Sequence, residues 1–82
     1  MRFMVTLTPK PGHEEEIGQR VGAEQERVAA LRQAGALDQL YVSRPGRAWL
    51  VLVADSATEA EQIIASLPLH SHVEATVESV LG

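Results

Sequence analysis

Hydrophobic and polar residues alternate in two short stretches, one near each end of the printed sequence. In residues 2–8 the side chains of Phe3, Val5 and Leu7 share one side, which predicts a half-buried strand. Residues 72–80 alternate in the same way. They predict the last strand of the chain.

Two segments between these strands carry apolar residues at the spacing of a helix. The first opens with the acidic run Glu14–Glu16, which suits the positive end of a helix dipole, and ends before Gly35, a typical C-terminal cap. The second begins with the capping-box pattern Ser56–Glu59 and stops at Pro68, which cannot continue a helix. Two helices are therefore predicted.

The segments Leu37–Ser43 and Ala48–Ala54 have the composition of strands. Between them, Arg44-Pro45-Gly46 contains the Pro-Gly pair that suits the centre of a tight turn, so the two strands should form a hairpin. The segment Ala48–Ala54 is apolar on both faces, whereas a strand with one face in water alternates. We therefore expect both of its faces to be covered.

The predicted order of elements is β-α-β-β-α-β, which indicates a ferredoxin-like α+β fold with two helices on one face of a four-stranded antiparallel sheet. A chain of 82 residues suits a single domain of this kind, over residues 1–82. The helices leave the other sheet face bare, although the third strand is apolar there. We expect a second copy to stack against that face, which gives a homodimer in the form of a dimeric α/β barrel.

The composition narrows the classes of function. The chain has no cysteine, which excludes disulfides, thiolate metal sites and a cysteine nucleophile. It also has no nucleophile elbow and no phosphate-binding glycine-rich loop. The formal net charge is −4, and the seven Lys and Arg residues are scattered, which argues against nucleic acid or a membrane surface as a partner. With no signal peptide before Pro9, we expect a cytoplasmic protein that acts on a small molecule.

One acidic residue interrupts the apolar stripe of the first helix. At about 100° per residue, Glu24 lies near the middle of an arc of about 80° that it shares with Ile17, Val21, Val28 and Leu31. Burial disfavours the charged form of a carboxyl group, so we expect its pKa to lie above the usual value of about 4.3. Such a group can take and return protons near neutral pH, as a proton-transfer enzyme requires.

Glu24 has an alternative, structural role. Arg20 precedes it by four residues and Arg27 follows it by three, which are the spacings at which side chains on a helix surface form ion pairs. The periodicity alone does not choose between a buried acid and an exposed ion pair.

Residues beside the predicted hairpin are further candidates. Tyr41 and Trp49 fall on its two strands, where core packing is the simpler role. Beyond packing, Trp49 could contact a substrate, and the Tyr41 hydroxyl could donate a hydrogen bond to a developing oxyanion. Arg47 follows the turn and could bind a substrate carboxylate, although an arginine at a hairpin usually faces solvent.

The segment His70–Glu74 contains two imidazoles and a carboxylate at alternate positions. If the last strand begins at His70, these groups lie on one side, and a metal could use them as ligands. A solvated strand entrance or the rim of a pocket is the more frequent setting. We therefore expect no metal, and we treat His70 and His72 as rim residues that bind the substrate.

Several short segments, in a fixed order, carry a family resemblance. They are Phe3-Met4-Val5, Glu24-Gln25-Glu26, Leu31, Gly35, Leu40-Tyr41, Gly46, Leu67-Pro68-Leu69 and Val73-Glu74-Ala75-Thr76-Val77. Together they make nearly the whole chain similar to the muconolactone Δ-isomerase family. The resemblance implies a ferredoxin-like fold, assembly into rings of dimers, and a reaction without a cofactor.

By this resemblance, Glu24 falls on the family's helix glutamate, which moves a proton along an unsaturated lactone. A base removes a proton from the carbon γ to the lactone carbonyl, the charge delocalises as a dienolate, and a proton returns to the α carbon. The resemblance also implies that Tyr41 and Arg47 lie where they can contact the enolate or a substrate carboxylate. The implied substrate is a small, anionic, unsaturated lactone.

Two other functions stay open. Where the family usually has an aromatic-proline-aromatic stretch, this chain has His70-Ser71-His72, which also fits a cyclase or cofactor-free oxygenase for larger aromatic or polyketide substrates. The third interpretation is a non-catalytic ligand-binding or assembly module, in which Glu24 pairs with Arg20 or Arg27.

Overall fold

The computed structural model describes residues 1–44 and 46–81, and the elements follow the predicted order. They are β1 (Arg2–Pro9), α1 (Glu14–Gln33), β2 (Leu37–Val42), β3 (Ala48–Val53), α2 (Ala57–Ala65) and β4 (Val73–Val80), with a short 3₁₀ turn at His70–His72 before β4. Pro45, in the predicted Pro-Gly turn, lies outside the described residues.

The four strands form one antiparallel sheet in the order β2-β3-β1-β4. In its middle, Val5 of β1 lies opposite Leu50 of β3 on one side and Val77 of β4 on the other. The pairing of β2 with β3 shifts register between Leu37 and Gln39. This arrangement confirms the predicted ferredoxin-like α+β fold.

The core lies between the sheet and the two helices. Phe3, Val5, Leu50 and Leu52 are the largest side chains that are less than 2 % exposed, and all four come from the two central strands. The remaining buried apolar residues are Leu7, Leu31, Leu37, Ala54, Ala60, Ile64, Leu67 and Val73. Both helices lie on this face, but the apolar stripe of α1 packs against the core at its C-terminal part: Leu31 is buried and Val28 contacts the core, whereas Val21 is 41 % exposed.

The helix ends follow from local sequence. Ser56 precedes α2, and its Oγ accepts a hydrogen bond from the backbone N–H of Glu59 at 3.2 Å. After α1 the backbone turns at Gly35, whose φ of 79° is a conformation that glycine adopts without strain. Among the described residues, no helix is long and apolar enough to cross a membrane.

The second face of the sheet points away from both helices. Trp49, Val51 and Val53 alternate along β3 with its two core leucines and therefore share this face, where Val51 lies opposite Met4 of β1. Met4 and Val53 are each 38 % exposed. Within one chain, the apolar side chains predicted on this face of β3 remain in contact with solvent.

Replacement of Leu52 by Ala tests the assignment of the core. The side chain is 0 % exposed, so its removal leaves a cavity, and we expect the free energy of unfolding to fall by about 3 kcal/mol. The same replacement at Leu81, which is 99 % exposed, should change it by less than about 0.5 kcal/mol. Chemical denaturation of both variants measures the difference, and equal effects would contradict the assignment.

Candidate functional site

A groove of about 1050 Å³ lies between α1 and the sheet. Most of its wall is apolar, from Leu7, Ile17, Val21, Val28, Ala29, Ala30, Leu40, Val42, Ala48, Leu69 and Val73. Its polar and charged side chains are Glu24, Gln25, Glu26, Arg32 and Gln33. All of these except Glu24 are exposed. Among the described polar lining residues, Glu24 is thus the one whose side chain is partly buried.

The carboxyl group of Glu24 contacts the chain segment before β4. Its Oε1 accepts a hydrogen bond from the backbone N–H of Leu69 at 3.1 Å. Arg27, one of the two arginines predicted as alternative partners, instead donates its Nε–H to Ser66 Oγ at 3.1 Å. The salt bridge found among residues 1–44 and 46–81 joins Arg2 to Asp38 and does not involve Glu24. Glu24 therefore faces the groove and not an arginine of its own helix.

Burial raises the pKa of Glu24 above its ordinary value of 4.5. The cause is desolvation, because the apolar walls supply little to replace the water that solvates a carboxylate. The hydrogen bond from Leu69 acts in the opposite direction, since it favours the charged form, but its effect is smaller. This increase in the pKa is the change expected from the position of Glu24 in the apolar stripe.

Tyr41, Trp49 and Arg47 lie apart from Glu24 within one chain. Tyr41 and Trp49 face each other across β2 and β3, and Trp49 is on the sheet face that points away from α1. The Tyr41 hydroxyl donates a hydrogen bond to Gln39 Oε1 at 3.1 Å, and the Arg47 guanidinium lies 5.7 Å from the centre of the Trp49 ring. None of the three predicted residues lines the groove.

His70 and His72 also lie outside the groove lining. They belong to the 3₁₀ turn, and β4 begins only at Val73, so the alternation needed to align both imidazoles with Glu74 is absent. His70 lines a separate cavity of about 240 Å³ beside Glu61. In the part of the chain that the structure describes, no group of three or more His, Cys, Asp or Glu side chains could hold a metal ion.

His72 instead pairs with His13, at the start of α1. Their Nδ1 atoms are 3.0 Å apart and the ring centroids 5.2 Å apart. The two rings therefore point almost head to head, which suits one proton shared between the two nitrogens. Sequence periodicity did not predict this contact, which joins residues 59 positions apart.

A segment whose contact with Glu24 was not predicted from the sequence holds this side chain in place. We call residues 66–72, between α2 and β4, the strap. It meets α1 and the preceding loop at four points: Ser66 with Arg27, the Leu69 N–H with Glu24, the Ser71 carbonyl with Lys10 Nζ at 3.2 Å, and His72 with His13. The Leu67-Pro68-Leu69 segment was the available signal, but a backbone donor carries no side-chain signature.

Comparison with solved structures supports the fold. The chain superposes with a TM-score of 0.79 on a 5-chloro-2-hydroxyhydroquinone dehydrochlorinase from Burkholderia phenoliruptrix, solved with 2,5-dihydroxybenzoquinone, at 15 % identity over 99 % of this chain and 94 % of that one. It superposes equally, with a TM-score of 0.79, on a muconolactone isomerase at 20 % identity over 98 % of this chain and 88 % of that one. At these identities the likeness establishes the fold.

Comparison of sequences supplies the family. No curated protein matches the chain significantly. A family model described as muconolactone delta-isomerase, however, matches residues 1–81, which include every helix and strand and the residues of the groove. The chain belongs to the muconolactone delta-isomerase family.

Proposed function

We propose that this protein is a cofactor-free isomerase, which shifts a double bond by proton transfer in a small unsaturated lactone or a related enolisable compound. The observation that carries the proposal is the carboxyl group of Glu24, held in an apolar groove by the Leu69 N–H and free of an arginine partner on its helix. Family membership supports the same class of reaction.

The raised pKa of Glu24 suits both halves of such a reaction. In its charged form the carboxylate takes the proton from the γ carbon of the lactone, and electrons move toward the carbonyl to give a dienolate. The carboxyl group then returns the proton to the α carbon, so the atoms and charge balance without a second reactant. One group can serve both carbons when they lie on the same side of the ring.

The dienolate oxygen needs a hydrogen-bond donor. Gln25 follows Glu24 directly, lines the groove and carries side-chain N–H groups, so we propose that its amide supplies the donor. Tyr41 was the candidate from sequence, but its hydroxyl already donates to Gln39 and does not line the groove of its own chain.

One observation also supports the alternative of a cyclase or cofactor-free oxygenase for larger ring systems. The groove, at about 1050 Å³, lies at the upper end of the range of roughly 300–1000 Å³ that is usual for small-molecule pockets. A fused-ring compound would therefore not be excluded by volume. An oxygenase consumes O₂ in proportion to turnover and a cyclase closes a new ring, whereas a double-bond shift does neither, and these differences separate the functions.

Replacement of Glu24 by Gln removes the titratable proton and keeps the acceptor oxygen for the Leu69 N–H. In D₂O, exchange of the γ proton of an accepted lactone, followed by NMR, should fall by about 10²–10⁴-fold. Glu61→Gln, on the exposed surface of α2, makes the same change of charge outside the groove and should leave the rate unchanged. Undiminished exchange in the Glu24 variant would contradict Glu24 as the proton-transfer group.

The raised pKa of Glu24 also predicts a dependence of stability on pH. Between 4.5, the ordinary value expected in the unfolded chain, and the raised value in the folded chain, the folded state binds more protons. The free energy of unfolding should therefore fall as pH rises through this window, and this loss should be absent in Glu24→Gln. Chemical denaturation at a series of pH values measures the free energy of unfolding of both proteins. The Glu24→Gln variant should be more stable than the unmodified protein above this pH window and equally stable below it.

The pH prediction has a matched control and a clear contrary result. Glu61→Gln removes one exposed carboxyl group and should keep the slope of the unmodified protein. If the Glu24→Gln variant and the unmodified protein were equally stable at every pH, this result would contradict a buried Glu24 carboxyl group with a raised pKa.

We also propose that the protein assembles as a homodimer through the sheet face that points away from the helices. Support comes from the apolar residues exposed there, which include Met4, Val53 and Val80, and from the small size of an 82-residue chain. The face contains the same residues in each copy, so a two-fold axis brings apolar side chains against apolar side chains. We also propose that these dimers associate further into a larger homo-oligomer.

Val51→Lys tests the proposed dimer. Val51 lies on β3 in the middle of this face, so a lysine there should place two uncompensated charges in the interface and yield monomers by sedimentation. Ala65→Lys adds the same charge to an exposed position of α2 and should leave the dimer intact. A monomeric unmodified protein at micromolar concentration would overturn the proposal.

A further inference from the structure

The charges in the groove bear on the kind of substrate it accepts. Three of its described lining residues are ionisable, namely Glu24, Glu26 and Arg32. Arg32 lies in the last turn of α1, eight residues or about 12 Å along the helix from Glu24, and it is exposed. Next to Glu24 in the sequence, the described groove is lined by the neutral amide of Gln25 and by a second acid, Glu26, and most of the remaining wall is apolar.

Three other arginines make side-chain contacts outside the groove. Arg27 donates to Ser66, Arg47 lies over the Trp49 ring, and Arg2 pairs with Asp38. None of Arg2, Arg27 and Arg47 lines the groove. A carboxylate on the substrate would thus enter an apolar space without a fixed cation beside the reacting carbon.

A substrate carboxylate would meet two physical penalties there. First, the apolar wall that disfavours the charged form of Glu24 would equally disfavour a second carboxylate. Second, the negative charge of such a substrate would oppose ionisation of Glu24 and so remove the base that the reaction needs. An uncharged substrate avoids both penalties and gains from contact with the apolar wall.

We propose, as an extension of the proton-transfer function above, that the substrate is uncharged: an unsaturated lactone or related enolisable carbonyl compound with an apolar substituent where the family resemblance implies a carboxylate. The apolar substituent occupies the part of the groove formed by Ile17, Val21 and Val28 of α1 and by Leu40 and Val42 of β2. The carbonyl end lies at Glu24. The groove is large enough for a substituent of several carbon atoms.

The test uses two compounds that differ in charge and by one methyl group: a 2(5H)-furanone with a carboxymethyl group on its γ carbon, and the methyl ester of the same compound. The rate of γ-proton exchange in D₂O at pH 8, corrected for the buffer reaction, gives kcat/KM for each. We expect the ester to exceed the carboxylate by about tenfold or more. An equal or higher value for the carboxylate would overturn the proposal.

Two variants separate the charge of the groove from the charge of the whole protein. Glu26→Gln removes a negative charge that lines the groove, so the ratio of kcat/KM for the ester to kcat/KM for the carboxylate should fall several-fold. Glu61→Gln changes the net charge equally but lies outside the groove, and it should leave the ratio of ester to carboxylate unchanged. Equal responses in the two variants would contradict an effect of the groove.

Binding distinguishes failure of this inference from failure of the proposed reaction. If neither compound exchanges its γ proton, the proposed isomerase function fails for this ring, and titration calorimetry of both compounds with the unmodified protein still tests the charge preference. Tighter binding of the ester supports the inference. Equal or tighter binding of the carboxylate, or no binding of the ester at millimolar concentration, overturns it.

Discussion

The hydrogen bond from the Leu69 N–H to Oε1 of Glu24 is the contact on which the rest of the site depends. It joins α1 to the strap and keeps the carboxyl group inside the groove, away from the helix surface where Arg20 and Arg27 lie. The same position deprives the carboxylate of water, which raises its pKa. A single placement therefore makes Glu24 the proposed acid-base group and also costs stability when that group is charged.

Much of the fold could be predicted from the sequence because each element has a strong local signal. Alternation predicted the first and last strands of the chain, Ser56 and Gly35 marked helix ends, and the order of elements indicated the sheet. The direction of the Glu24 pKa also followed from periodicity, since an acid within an apolar stripe faces whatever the stripe packs against. These inferences need only the period of a helix or a strand.

The surroundings of Glu24 could not be predicted in the same way. Tyr41 and Trp49 stand on strands beside the groove, but strand parity turned Trp49 to the opposite face of the sheet. His72 fell in a turn and found His13, a contact between residues 59 positions apart. The partner of Glu24 is a backbone amide, which every residue except proline possesses. Such long-range pairings depend on tertiary packing.

The central claim is that the Glu24 carboxyl group is partly desolvated in the folded protein. An NMR titration of the side-chain carboxyl carbons, with the Glu24 resonance assigned by its loss in Glu24→Gln, measures the pKa of this group directly. The account predicts a midpoint above 4.5 for Glu24. A midpoint at 4.5 or below would contradict it, because the carboxylate would then be solvated or paired as in the structural alternative.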